Sequence, residues 1–357
     1  MKTLFLLLLA LPLTIKAQDF NAHSSLVFLD SKLNDYKVVL SGESHWDKHN
    51  VERRKSMVEY LTTKNWLDVM ILERDYSFGH WINEFLVTGD TVLLKELLKD
   101  DFFMSYNGIQ YVDEYEFYTW LRKFLQKKDY KIYVVGIDMA SYWEGEKLLM
   151  SFLRFTEKDS VLRNGLPASI SKAKELLKQE KISIGAFKKW FVNMGKSLEN
   201  LDYHNVHFTN YAFNIKQSKK WARGNPMKWR DVQIAKNFTK FIDSNENVYG
   251  QFGYGHVLLK KGPRMSGYNP FAAILNQATP YHGRILSIGL VSFNCSNSPE
   301  CYSIRTGGNL YYPFLTKEEF ELVKNGLIEL PSNSYVEMKY LLPDVESYFQ
   351  VLRVEHY

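Results

Sequence analysis

The feature that most constrains the fold is a rhythm of short apolar runs separated by longer amphipathic ones. Val38-Val39-Leu40 reads as a buried strand. Residues 50–61 follow, with Val51, Met57, Val58 and Leu61 on one helical face. Val69-Met70-Ile71-Leu72 is a second strand, and residues 114–125 repeat the helical period through Phe117, Tyr118, Leu121, Phe124 and Leu125. Ile132 to Val135 is a third strand, and residues 144–155 are again helical. Strand and helix alternating at this spacing require crossover connections, and so a largely parallel sheet. The class expected is α/β, with a mixed, mostly parallel sheet flanked by helices.

Residues 166–225 break the rhythm. They are Lys-rich and helical in pattern, with no convincing strand. They predict a helical insertion, expected to form a lid over the sheet. The alternation resumes with a helix at 230–242, a strand at Val248–Phe252 and another from Ile285 to Gly289. A further helix is expected to start near Thr316, and a mixed strand–helix ending at 335–354. No Pro-, Gly- or Ser-rich linker divides the chain, so residues 18–357 are expected to form one domain.

The first 17 residues read as a signal peptide. Lys2 supplies a positive start, Leu4 to Leu13 is apolar apart from Pro12, and Ala17 is a suitable cleavage residue. The apolar run falls short of the ~20 residues a membrane span needs. Export to a periplasmic or secreted location is the expectation, with no transmembrane segment after cleavage. No cysteine near the cleavage point favours a lipid anchor. Cleavage removes Lys2 and Lys16, taking 45 bases to 43 against 40 acids and the formal charge from +5 to +3. So balanced a chain gives no reason to expect a nucleic-acid partner. In an oxidising compartment Cys295 and Cys301, six residues apart in one polar loop, are expected to pair as a disulfide.

In an open α/β sheet, ligands bind beyond the carboxyl ends of the strands. The first strand runs into Ser41-Gly42-Glu43-Ser44-His45, and the second into Glu73-Arg74-Asp75. The third runs into Gly136-Ile137-Asp138-Met139, and the fourth into Gly253-Tyr254-Gly255-His256. Two of these ends share the pattern Gly-x-x-His. An imidazole can take a proton from water near neutral pH. A carboxylate beside it fixes its tautomer, and a second histidine can protonate a leaving group or hold an oxyanion. The same residues could instead hold a divalent metal. His49, four residues beyond His45, could face the same pocket. Asp138 could equally cap the next helix. His23, His80, His204, His207, His282 and His356 are read as structural.

These residues resemble the erythromycin-esterase-like family. The likeness rests on Gly42-Glu43 with His45 after the first strand and on Glu73 ending the second, 28 positions after His45. It continues through Gly136-Ile137-Asp138-Met139, Arg230-Asp231 with Ala235 and Asn237, Gly255-His256-Val257 and Met265-Ser266-Gly267, covering roughly residues 37–295. The resemblance implies hydrolysis of an ester or lactone of a small molecule. His45 would be the general base, Glu43 and Glu73 acidic partners, and His256 a second catalytic histidine. Arg230 would support the carboxylates or bind a substrate anion, with Asp138, Arg74 and His49 in support. No cofactor is expected. The wider superfamily implies two alternatives: a metal-dependent peptidase of Tiki/TraB type with His45, Glu73 and His256 as ligands, or a non-catalytic haem- or iron-binding protein of ChaN type. Three departures argue against macrolide hydrolysis itself. Only Ser44 separates Glu43 from His45 where the esterases have two residues, Trp46 replaces their Gly, and Gly-Tyr-Gly precedes His256.

Overall fold

The structure is a computed structural model. It describes residues 29–30, 33–43, 50–99, 109–140, 145–180, 182–198, 205–218, 227–259, 269–292 and 349–352. The expected signal peptide, Cys295, Cys301, Met265-Ser266-Gly267, the helix near Thr316 and most of the 335–354 segment lie outside these residues.

One six-stranded sheet organises the described residues, in the order β3-β2-β4-β1-β5-β6. The strands are β1 (Val38–Glu43), β2 (Val69–Leu72), β3 (Tyr133–Gly136), β4 (Val248–Gly253), β5 (Ile285–Ser292) and β6 (Phe349–Leu352). β1 to β5 are mutually parallel, and β6 runs antiparallel at the edge beside β5. The expected mixed, mostly parallel sheet is therefore present. Every residue of β2 and β4 is buried, as expected of parallel strands covered on both faces.

The expected helices are also present, some longer than their periodicity suggests: α1 (Asn50–Thr63) after β1, and, further on, α4 (Ile109–Lys128) and α5 (Gly145–Lys158). Two helices between β2 and α4 escape the sequence reading, namely α2 (Tyr76–Thr88) and α3 (Thr91–Leu98). Both carry aspartate N-caps: Asp75 accepts from Ser77 N at 2.8 Å, and Asp90 from Val92 N at 2.9 Å.

α2 lies unusually close to β3. A Cβ on Gly136 would sit 1.8 Å from the Asp75 carbonyl oxygen, and one on Gly79 would sit 2.4 Å from Gly136 N. This contact lets Asn83 act as a short strand mimic on the open edge of β3. Its Oδ1 accepts from Val134 N at 2.9 Å and its Nδ2 donates to Val134 O at 2.7 Å, satisfying groups an edge strand would otherwise expose.

The described parts of the 166–225 segment are helical, as expected. After α6 (Ser160–Gly165) come α7 (Pro167–Leu177), α8 (Ile184–Ser197) and α9 (Val206–Ser218). α7 packs on α5, α8 on α7, and α9 on α8. α9 also reaches α2 and α10 (Met227–Phe241), so the insertion is wedged into the sheet's helical layer. Its packing against α5 is aromatic: Trp190, Phe187 and Phe191 group with Phe152 of α5, and Phe208 and Tyr211 with Phe155 of α5.

Candidate active site

Because β1 to β4 are parallel, their carboxyl ends share one rim. Glu43 is the last residue of β1 and lies opposite Gly253. Glu73 follows β2, whose last residue Leu72 is opposite Gln251. Asp138 stands two residues beyond β3. β4 ends at Gly253 and turns at once into α11 (Tyr254–Val257), which carries His256. The N-terminal part of α10 brings Arg230 and Asp231 to the same place.

Arg230 ties these ends together. Its Nε donates to both oxygens of Asp138 at 3.1 Å, and its Nη2 donates to Asp138 Oδ2 and, at 2.5 Å, to Glu73 Oε1. Its Nη1 lies 3.1 Å from His256 Nε2. The second oxygen of Glu73 accepts from Gly253 N at 2.8 Å, fixing that carboxylate to the end of β4. Burial opposes the charge on Arg230, but Asp138 and Glu73 outweigh it and raise the pKa further, so the guanidinium stays charged. Of the two roles expected for Arg230, the geometry is that of a carboxylate support. Among the described residues Asp138 caps no helix: its carboxylate takes Arg230 and its own neighbour Met139 N at 2.7 Å.

His256 is gripped at both nitrogens. Nδ1 is 2.6 Å from Asp231 Oδ1, and Nε2 is 3.3 Å from Glu73 Oε1. Asp231 is held in turn by Phe271 N, which donates to its Oδ2 at 2.9 Å. Burial disfavours the imidazolium and so does the neighbouring Arg230. Glu73 and Asp231 more than offset them and raise the His256 pKa to about 10. At neutral pH this histidine is a cation with two N–H donors, a poor base and a good acid or anion partner.

Glu43 sits in a different polar network. Gln251 Nε2 donates to Glu43 Oε2 and, at 3.2 Å, to Asn50 O at the start of α1. Arg54 on α1 is paired with Glu114 and lies close enough to Glu43 to feel its charge. Arg74 places its guanidinium over the Phe78 ring, 5.4 Å from the centroid, while its carbonyl accepts from Asp138 N at 2.7 Å. His45 and His49 lie outside the described residues. Among the structural histidines, His207 Nδ1 lies 3.1 and 3.3 Å from the hydroxyls of Tyr76 and Tyr133, with the His80 ring tilted beside it. His282 binds Asn276 O at 2.8 Å.

Strand ends alone point to Glu43, Glu73, Asp138 and His256. They do not single out Asp231 or Gln251. Asp231 arrives on a helix at no strand end, and only its adjacency to Arg230 could have marked it. Gln251 is the one amide in an otherwise apolar and glycyl strand, a signal visible in Val-Tyr-Gly-Gln-Phe-Gly.

The donor set can be tested against a divalent metal. Glu73 Oε1 and His256 Nε2 both face the Arg230 guanidinium, so a cation joining them would have to displace a fixed positive charge. Among the described residues no group of three or more His, Cys, Asp or Glu is arranged to hold a metal ion. The described part of this centre does not fit one.

Solved structures with similar architecture include an erythromycin esterase, a histidine-to-asparagine mutant in its open conformation. It superposes with a TM-score of 0.50 at 15% identity, covering 77% of this chain and 76% of that one. The chain shares its fold with an erythromycin esterase. A Bacillus cereus protein superposes with a TM-score of 0.54 at 18% identity, over 75% of this chain and 68% of that one. A succinoglycan biosynthesis protein gives 0.50 at 16%, over 74% and 68%. At these identities the likeness is one of fold. No family model and no curated protein sequence matches the chain. Among the described residues no helix is long and apolar enough to cross a membrane.

Proposed function

We propose that this protein is an exported, metal-independent hydrolase that cleaves an ester or lactone of a small molecule. The observation that carries the reading is the Asp231–His256–Glu73–Arg230 assembly on the rim where β1 and β4 end side by side. It supplies a buried imidazolium and a guanidinium within 3.1 Å of one another, backed by carboxylates. Such fixed donors suit the oxyanion that forms when water adds to an ester carbonyl.

The roles then divide. His256 is already protonated, so it cannot be the base. His45, two residues beyond the end of β1, takes the proton from water. The water oxygen bonds to the carbonyl carbon, and the carbonyl oxygen becomes an oxyanion facing Arg230 Nη1–H, beside the positive charge of the His256 imidazolium. Collapse expels the alkoxide, which accepts a proton from the His45 imidazolium. Glu73 and Asp138 hold Arg230 in place, and Asp231 fixes the imidazole ring. Glu43, held by Gln251, bounds the pocket on the β1 side. The insertion closes over this rim and selects the substrate. Metal independence is supported by Arg230 standing where a cation would join Glu73 to His256.

The test is hydrolysis of p-nitrophenyl esters and simple lactones by the mature protein, with bound metal measured by elemental analysis. The wild type is expected to hydrolyse an ester with no stoichiometric metal, and His45→Ala to lose about 10²–10⁴-fold in kcat, the usual share of general-base catalysis. Activity that survives His45→Ala, or that tracks bound zinc, overturns the reading.

A further inference from the structure

The insertion reaches the catalytic rim through α9. We propose that Asn214, on α9, is a positioning residue that sets Arg230 through Asp138, making the insertion part of the active-site frame. The proposal rests on the hydrolase reading for its kinetic consequence, but its structural content stands without it.

The contacts are specific. Asn214 is fully buried, and its Nδ2 donates to the Asp138 carbonyl at 2.7 Å. A carbonyl only accepts, so the amide nitrogen must face it. One turn on, Ser218 Oγ accepts from Ala140 N at 3.0 Å and donates to Asn214 O at 2.7 Å. α9 therefore latches both ends of the segment Asp138–Ala140. From the other side, Asn237 of α10 donates Nδ2 to Ile137 O at 2.8 Å and to Asp138 O at 3.2 Å, and is itself held by Gln233. The Asp138 peptide is thus clamped between two buried amides, one from the insertion and one from the helix that carries Arg230.

A packing role alone does not account for Asn214. Its Oδ1 is buried with no hydrogen-bond partner among the described residues. A buried orphan acceptor is costly, and an apolar side chain of similar size would avoid that cost. What the asparagine gains over leucine is the bond to Asp138. That backbone sets where the Asp138 carboxylate meets Arg230 Nε and Nη2, and Arg230 in turn meets Glu73 and His256. A small displacement at one end of such a chain moves the reacting groups at the other.

The experiment compares wild type with Asn214→Leu, reading the hydrogen exchange of the Arg230 Nε–H by NMR, its resonance assigned by its loss in Arg230→Lys. Asn214→Leu is expected to keep a melting temperature within about 4 °C of wild type, since it removes one bond and one orphan acceptor together. Arg230 Nε–H exchange is expected to quicken at least about tenfold, and kcat for p-nitrophenyl acetate to fall about tenfold with KM nearly unchanged. If wild type does not hydrolyse the probe, the hydrolase reading fails while the exchange rate still decides this proposal. Should Asn214→Leu not fold, Ser218→Ala, which releases Ala140 N, replaces it with the same expectation. Unchanged Arg230 Nε–H exchange in a folded variant overturns the proposal.

Discussion

At the residue scale His256 carries the least ordinary chemistry. Its imidazole is buried, which alone would make it neutral, yet Asp231 and Glu73 bracket it at 2.6 and 3.3 Å. Its pKa stands at about 10 against an ordinary 6.5. A raised pKa means that the folded state holds the proton more tightly than the unfolded chain. The stability this brings is complete below about pH 6.5 and fades as pH rises through about 10. An NMR titration should show His256 keeping its imidazolium shifts past pH 8, and Asp231→Asn should bring the midpoint down by at least about one unit. A midpoint near 6.5 in the wild type would contradict the electrostatic description. His80 is the opposite case. Burial, then His207 and Lys158, hold its pKa down at about 3. It therefore withdraws stability as pH falls from about 6.5 toward 3. His80→Phe, which keeps a ring against Phe155, should make the melting temperature less sensitive to acid over that range, as followed by circular dichroism. An unchanged slope would show that the proton goes elsewhere.

At the scale of elements, the seat of α2 on β3 is the most demanding fit. A methyl group on Gly136 would lie 1.8 Å from the Asp75 carbonyl oxygen, a backbone atom that cannot step aside without moving the helix start. Gly136→Ala should cost at least about 3 kcal/mol in denaturant unfolding. A cost under about 1 kcal/mol would mean the contact is looser than described. α2 also shows what sequence reading loses. Its helical content is hidden because Trp81, Ile82 and Phe85 face the core while Tyr76, Ser77, Phe78 and Gly79 are buried too, so no polar stripe marks a period. Strands are more legible. A parallel strand covered on both faces must be apolar throughout, and β2 was readable to its exact ends for that reason. The acids and histidine at strand ends were legible because parallel topology sends them to one rim. The roles of Asp231, Gln251 and Asn214 were not, since they depend on which helix or strand packs beside which end.

For the whole molecule, the sheet brings ends from four distant parts of the chain together, and helices α9 and α10 lock them. The lock is ionic and buried, so it is sensitive to loss of any one member: a carboxylate or guanidinium left without its partner is penalised more than the pair contributes. The fold is shared with an erythromycin esterase, and at 15% identity the likeness is one of fold alone. Function therefore has to be argued from the rim itself. The most direct test of the central claim is the pH–rate profile of ester hydrolysis by metal-free protein, wild type against His256→Gln. The account predicts that wild-type kcat holds from neutrality until it falls near pH 10, where His256 loses its proton. It predicts that His256→Gln is at least about 10²-fold slower, with no such fall. Equal rates for the two proteins, or recovery of the variant on adding zinc, would contradict it.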